Sequence, residues 1–398
     1  MIERKIYLDR IIPLIDDPLI KIITGMRRVG KSTFLLLIQE ELIRRGVSEE
    51  NIISINFESL KTDNLKNYKN LYNYISGKIK NNLTYYIFLD EIQEVEGFEK
   101  VVNSLNVDFN VDIYITGSNS KMLSGELATY LTGRYFSINI YPLSFKEIYS
   151  YYNSQKKVDK DALFLKYVNQ GGLPATYRFS NKNDLINGYL EDMYSSILLK
   201  DIVTRYNVRD IELLQRFLKF VFNNVGQIFS ASSITKFLRK EGRKLSKETI
   251  YNYISACKEA YLIHSVSRYN LKGKEILKTK EKYFINDLGL RSIYFDNESD
   301  IGQTLENIVF LELLRRGYDI YVGDIDGFEV DFIAEKSNEK LYLQVAYLLA
   351  DESVIEREFN SLEKIEDNFP KYVISMDKVN LQRKGIKQIN IIDFLLEV

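Results

Sequence analysis

The sequence predicts an α/β protein whose first part is a doubly wound, five-stranded parallel sheet. Three observations carry this. Strand-like segments recur at Ile20–Thr24, 52–57, 85–89, 111–116 and 135–141, the one at 52–57 alternating apolar and polar, each bounded by polar or glycine-bearing turns. Helical patterns separate them, the alternation that gives a parallel sheet. A glycine-rich octapeptide joins the first run to the first long helix.

That octapeptide, Gly25-Met26-Arg27-Arg28-Val29-Gly30-Lys31-Ser32, matches G-x-x-x-x-G-K-[ST], the Walker A pattern, in full. The run before it reads as a buried strand. Residues 31–45 read as a helix with Phe34, Leu35, Ile38 and Leu42 on one face and Gly46 as its stop. In a strand–loop–helix setting the loop N–H groups cradle phosphate oxygens at the helix N-terminus. Lys31 is then expected to reach the β- and γ-phosphates, and the Ser32 hydroxyl to ligate Mg²⁺. All eight residues and Thr33 count as nucleotide-binding positions. The expected cofactors are ATP and Mg²⁺.

Composition sets outer limits. The chain has 398 residues, enough for two or three domains, and 45% of them are hydrophobic. Its 54 Lys and Arg against 55 Asp and Glu leave a net charge of −1, so the whole chain has no basic footprint. The single cysteine, Cys257, excludes an intramolecular disulfide and fits a reducing compartment. No stretch has the apolar length of a membrane span or a signal peptide, so a cytoplasmic protein without a membrane partner is expected.

The remaining strands place further chemistry. Helical spacing of Leu71, Tyr74, Ile75 and Ile79 predicts a helix within 65–83. The run at 85–89 ends in Asp90-Glu91, a Walker B pattern: Asp90 suits Mg²⁺, and Glu91 suits polarisation of the attacking water. After the run at 111–116, Ser118 and Asn119 are alternative γ-phosphate sensors, and each is equally compatible with an ordinary turn. Arg134 precedes the fifth run. It is a candidate to stabilise the transferring phosphoryl group, in cis or on a neighbouring subunit of a homo-oligomer, or a structural partner of a carboxylate. Arg4 and Arg10 flank Tyr7-Leu8 in a short helical lead-in before Pro13.

The octapeptide, Leu89-Asp90-Glu91-Ile92-Gln93, Thr116-Gly117-Ser118, Gly133-Arg134 and Tyr141-Pro142-Leu143-Ser144-Phe145 together resemble the prokaryotic AAA-like P-loop ATPases that carry a C-terminal domain of unknown function. The resemblance extends to Gly171-Gly172-Leu173-Pro174 and more weakly along most of the chain. It implies a P-loop NTPase core at 1–145, with the Walker B acids on a strand not adjacent to the Walker A strand. It supports Asp90 and Glu91 and leaves Arg134 open.

Residues 146–210 read as a helical lid, from which Arg178 and Arg205 can reach a nucleotide. Residues 211–296 read as a winged helix-turn-helix: helices near 213–221, 234–239 and 245–260, then a hairpin of 261–269 with 275–284. Residues 231–282 hold 13 Lys and Arg against 5 Asp and Glu, a net charge of +8. Double-stranded DNA is one expected partner, with Lys247, Thr249, Tyr251 and Asn252 at the groove and Lys272, Lys274 and Lys278 at phosphates. Protein packing is the other reading. Residues 297–398 read as an α/β domain, and 297–369 are acidic, 18 Asp and Glu against 6 Lys and Arg, a net charge of −12. Glu306 on a helix, Asp331 in a strand and Gln344-Val345-Ala346 in the next resemble the restriction-endonuclease-like fold. Gln344 stands where a second acid is needed and Ala346 where a lysine is needed, so a degenerate site without nuclease activity is expected. Strands are also expected at 372–375 and 389–394.

Overall fold

A computed structural model describes residues 1–119, 131, 133–179, 182–240 and 246–397, with the side chains of residues 240 and 277–280 outside that description. Thr132, Leu245 and the Lys278 side chain therefore lie outside the described residues. The chain divides into two compact units: Met1–Tyr141 with Glu259–Tyr261, and Pro142–Lys258 with Leu262–Val398.

The first unit opens with α1 (Lys5–Ile11) and β1 (Ile20–Thr24), followed by α2 (Lys31–Arg44), β2 (Ile52–Asn56), α3 (Tyr68–Ser76), β3 (Tyr85–Asp90), α4 (Phe98–Asp108), β4 (Val111–Gly117) and β5 (Tyr135–Asn139). The sheet order is β2-β3-β4-β1-β5, parallel throughout. As the resemblance implies, β3 is not adjacent to β1. Every residue of β1, β3 and β4 is buried, as a sheet covered by helices on both faces requires. Ile22, Ile87, Leu89, Ile113 and Ile115 form the core with Leu71, Ile75, Val101 and Leu105 of α3 and α4. Each such side chain contributes about 1.5–3 kcal/mol on burial. The helix expected within 65–83 is only α3, closed at Gly77, whose N–H bonds back to Asn73 O.

A buried polar network fastens the amino-terminal edge of this sheet. Lys21 Nζ lies 2.6 Å from Asp112 Oδ1 and 2.6 Å from Asp17 O. Asp112 Oδ2 also accepts the Asp16 N–H at 3.0 Å and the Tyr114 hydroxyl at 2.9 Å.

The second unit begins with α5 (Phe145–Gln155), whose start is a capping box between Ser144 and Glu147. This accounts physically for Leu143-Ser144-Phe145. After α6 (Lys160–Gln170) the Gly171-Gly172 pair lets the chain pass against a buried acid, since a Cβ on Gly171 meets Asp287 Oδ1 at 2.2 Å. Asp287 accepts the Gly172 N–H at 2.7 Å, and burial still pushes its carboxyl up to about 7. The amphipathic stretch 185–205 is α7 (Asn183–Ser196) continued by a π-helix, Ile197–Thr204.

Next come α8 (Ile211–Asn223), β6 (Ile228–Phe229), α9 (Ala231–Lys240), α10 (Lys247–Glu259), β7 (Ile263–Asn270), β8 (Glu275–Ile285), α11 (Leu288–Ser292) and α12 (Ile301–Arg316). The chain ends with β9 (Asp319–Ile325), β10 (Phe328–Lys336), β11 (Glu339–Val345), α13 (Glu352–Glu363), β12 (Lys371–Ser375), β13 (Gln382–Arg383), β14 (Ile386–Asn390) and α14 (Ile391–Leu396). The expected strand at 389–394 is corrected: β14 stops at Asn390, whose side chain accepts the Ile392 and Asp393 N–H groups and starts a helix.

Strands β6 to β14 form one nine-stranded sheet, in the order β13-β14-β12-β11-β10-β9-β7-β8-β6. The hairpin β7–β8 is therefore not a free wing. Strand β7 pairs in parallel with β9, Arg268 opposite Val322 and Asn270 opposite Asp324, so the sequence boundary at 296/297 falls inside a sheet.

Candidate functional site

The carboxyl ends of β1, β3 and β4 meet at one edge of the five-stranded sheet. Thr24 lies level with Gly117. Thr116, one residue earlier, donates its hydroxyl to Asp90 Oδ1 at 2.6 Å and accepts the Glu91 N–H at 2.8 Å. Asn56 at the end of β2 donates to Asp90 Oδ2 at 2.8 Å. The residues from 25 to 33, Asp90, Glu91, Ser118 and Asn119 thus lie at the carboxyl ends of β1, β3 and β4. Strand carboxyl ends are where ligands bind in open α/β sheets.

Gly25, Met26 and Val29 are buried in the loop, Gly30 is half-buried, and Ser32 is exposed in the first turn of α2. Gly25 has φ of +145°, and a Cβ there meets Ile140 O at 2.3 Å. The loop can pass the end of β5 only without a side chain. Gly25→Ala is accordingly expected to abolish saturable Mg-ATP binding in equilibrium titration. Arg27 Nη1 lies 3.4 Å from Glu58 Oε1, and Arg28 holds a left-handed φ of +60°.

Lys31 Nζ reaches Gly25 O at 3.2 Å, Met26 O at 3.3 Å and Glu91 Oε1 at 3.2 Å. Burial pushes the Glu91 carboxyl up, but the Lys31 charge and a hydrogen bond from Gln93 at 2.6 Å outweigh it and hold the group below its ordinary value. Glu91 is therefore ionised at neutral pH. Its φ of +55° is left-handed, a conformation that costs a non-glycine residue about 1–3 kcal/mol and clusters at functional sites. Ser118 is buried just past the end of β4, and its Oγ has no hydrogen-bond partner among the described residues. A glycine-forced cradle, an ammonium turned onto the loop's own carbonyls, two adjacent acids at the strand end and an unsatisfied buried hydroxyl together fit a nucleoside triphosphate with Mg²⁺.

Arg134 is placed elsewhere. It is exposed and precedes Tyr135, which is level with Ile20 at the opposite edge of the sheet. Four strand steps separate that level from Thr24, about 13 Å. The expectation that Arg134 serves the site of its own chain is corrected on this geometry. The order along the chain agrees with this: Arg134 precedes its strand and the phosphate loop follows one, and in a parallel sheet those positions lie at opposite edges.

Sequence reasoning also missed Arg4. Its guanidinium is buried at the loop, donating to Val29 O at 3.0 Å and to Tyr141 O at 2.6 Å. These contacts span 25 and 137 residues, and nothing in the lead-in, where Glu3, Lys5, Asp9 and Arg10 are charged as well, singles Arg4 out.

In the second unit, α10 buries Ile250, Tyr253, Ile254 and Cys257 and leaves Lys247, Tyr251 and Asn252 exposed. Thr249 is half-buried, with its N–H on the Ser246 hydroxyl. On the hairpin, Lys272 pairs with Asp326 at 2.6 Å and Arg268 with Asp324 at 2.5 Å, so acidic strands partly neutralise it. Glu306 and Asp331 do come together, and Gln344 Oε1 accepts the Asp331 N–H at 3.0 Å. Lys282 Nζ lies among them, 2.6 Å from Glu306, 2.6 Å from Glu329 and 3.3 Å from Asp331. Burial opposes the Lys282 charge, but the three carboxylates hold its pKa well above the ordinary value.

Residues 17–149 match the AAA domain, and residues 161–300 match a domain of unknown function, DUF8612. An uncharacterised protein of Haemophilus influenzae is 40% identical over 405 aligned residues, covering 100% of this chain and 99% of that one. The chain belongs to this AAA-domain family. A second uncharacterised relative, from Methanocaldococcus jannaschii, is 34% identical over 381 residues, covering 91% of this chain and 81% of its own. The AAA-domain chain is also similar in fold to the Walker-type ATPase PABY2304 of Pyrococcus abyssi, with a TM-score of 0.51, 15% identity, and coverage of 74% of this chain and 95% of that one. Among the described residues no helix is long and apolar enough to cross a membrane.

Proposed function

We propose that this AAA-domain protein hydrolyses ATP with Mg²⁺ and uses the cycle to drive conformational change in a multidomain switch. The observation that carries the reading is the meeting of Lys31 and the ionised Glu91 across the loop. Mg²⁺ would supply charge neutralisation at the phosphates, held by Ser32 and Asp90. Thr116 and Asn56 orient the Asp90 carboxylate from both sides. The loop from Gly25 to Gly30, with Lys31 and Thr33, binds the phosphates, and Ser118 or Asn119 senses the terminal one. Glu91 accepts the proton of the attacking water. In the resting chain Lys31 is its ion-pair partner, so a phosphate competing for Lys31 frees the carboxylate for that work. Arg134 is retained only as a residue acting on a neighbouring copy.

The second unit supports a partner reading. Helices α8, α9 and α10 followed by β7–β8 have the order of a winged helix-turn-helix, and α10 offers Lys247, Tyr251 and Asn252 to solvent within a basic segment. Duplex DNA fits that face. The Glu306–Asp331 cluster reads as a degenerate nuclease-like site: Gln344 and Ala346 replace an acid and a lysine, and Lys282 fills the space between the carboxylates. A structural use follows.

The deciding experiment measures ATP turnover with and without duplex DNA at several protein concentrations. Wild type is expected to turn over ATP, with the rate rising on DNA addition and DNA affinity falling as salt rises. Lys31→Ala is expected to lose nucleotide binding. Salt-dependent DNA affinity with no stimulation of ATP turnover would favour a DNA-binding regulator that uses ATP as a signal and turns over very slowly.

A further inference from the structure

We infer that Arg4 is a positioning residue for the phosphate loop: by pinning the Val29 carbonyl it fixes the Val29–Gly30 peptide so that the Gly30 N–H faces the anion. The inference rests on the nucleotide reading above and extends it to a residue outside the motif.

The argument starts from one peptide plane. The C=O of Val29 and the N–H of Gly30 belong to the same trans peptide unit, so they point in opposite directions. Arg4 Nη1 holds Val29 O at 3.0 Å. The Gly30 N–H is thereby turned the other way. Gly30 has φ of +102°, in a region where glycine pays little for the reverse orientation, so the plane needs an external restraint. A flipped plane would present a carbonyl to the phosphates in place of a donor.

Arg4 is well held for this task. It is the residue before α1, and its own carbonyl accepts the Tyr7 and Leu8 N–H groups, both at 3.0 Å. Its guanidinium lies 4.8 Å from the Tyr7 ring centroid and is 97% buried as a residue. The second arm of the fork holds Tyr141 O at 2.6 Å, and the Tyr141 N–H donates to the Tyr7 hydroxyl at 3.1 Å. One guanidinium therefore ties the loop to the end of β5, beside the point where Ile140 O crowds Gly25. Lysine keeps the charge but lacks the rigid planar fork that sets Nη1 and Nη2 on the two carbonyls at once.

The test compares Mg-ATP and inorganic tripolyphosphate affinity in wild type, Arg4→Lys, Arg4→Met and Asp112→Asn, alongside melting temperatures without ligand. Asp112→Asn loosens the same sheet at its opposite edge and reports general destabilisation. The expected result is a loss of about tenfold or more for both ligands in Arg4→Met, a smaller loss in Arg4→Lys, and little change in Asp112→Asn at a temperature where all are folded. If Arg4→Met does not fold, Arg4→Lys decides. Unchanged affinities in the folded Arg4 variants, or an equal loss in Asp112→Asn, overturn the inference. Failure of wild type to bind either ligand instead overturns the nucleotide reading itself.

Discussion

Glu91→Gln is expected to lower steady-state ATP turnover by about 10²–10⁴-fold, the usual worth of a positioned general base, while leaving Mg-ATP binding intact. The amide keeps the size of the side chain and a polar contact with Gln93 but cannot take a proton from water. It also removes the charge that holds Lys31 Nζ at 3.2 Å in the resting chain. Lys31 then has one fewer competitor for the phosphates, so affinity is expected to stay level or rise. Phosphate release and equilibrium titration, run on the same preparation, separate the two effects. Turnover at the wild-type rate would remove Glu91 from the chemistry and leave Asp90 as the only assigned acid. The sign of the pH dependence follows from the same environment. A carboxyl held below its ordinary value is ionised throughout the range where an unperturbed histidine titrates, so the acid limb of the wild-type profile is expected below that range.

Asp112→Ala is expected to cost about 3–5 kcal/mol, the penalty for stripping one partner from a buried ion pair. Lys21 is fully buried, and its ammonium would keep only Asp17 O as an acceptor. Tyr114 and the Asp16 N–H would lose their acceptor as well. For a unit of this size the loss corresponds to roughly a 10 °C fall in melting temperature. Replacing both partners with apolar residues, Lys21→Met with Asp112→Leu, is expected to recover much of it, because no charge is then left in the core. Thermal unfolding followed by circular dichroism measures both. A single variant that melts within two or three degrees of wild type would mean water reaches Lys21.

Much of this was legible in the chain. The central strands β1, β3 and β4 are short apolar runs closed by turns, as strands buried on both faces must be, and β2 alternates because alternate residues are exposed. Asp90 and Glu91 were found because an apolar run ending in acids, after a complete phosphate-loop motif, has one place to go. The place of Arg134 was legible too: it precedes a strand of a parallel sheet whereas the phosphate loop follows one, and parallel strands put those two positions at opposite edges. What escaped is of another kind. Arg4 and Lys282 act through partners far away in the chain, and no local pattern encodes such pairs. The helix at Ile391–Leu396 was read as strand because Ile389-Asn390-Ile391-Ile392 is apolar either way, and only the Asn390 cap decides between the two.

The shared nine-stranded sheet has a consequence for how this protein can be divided. Strand β7 hydrogen-bonds to β8 on one side and to β9 on the other. A fragment cut at 296 would bare the β9-facing edge of β7 as an unpaired template, the kind of surface on which chains stack into aggregates. It would also strand Lys282 without any of its three carboxylates. The stretch that looks like a portable DNA-reading cassette is thus not portable. The hairpin that follows α10 is itself anchored in the acidic sheet through the pairing of β7 with β9.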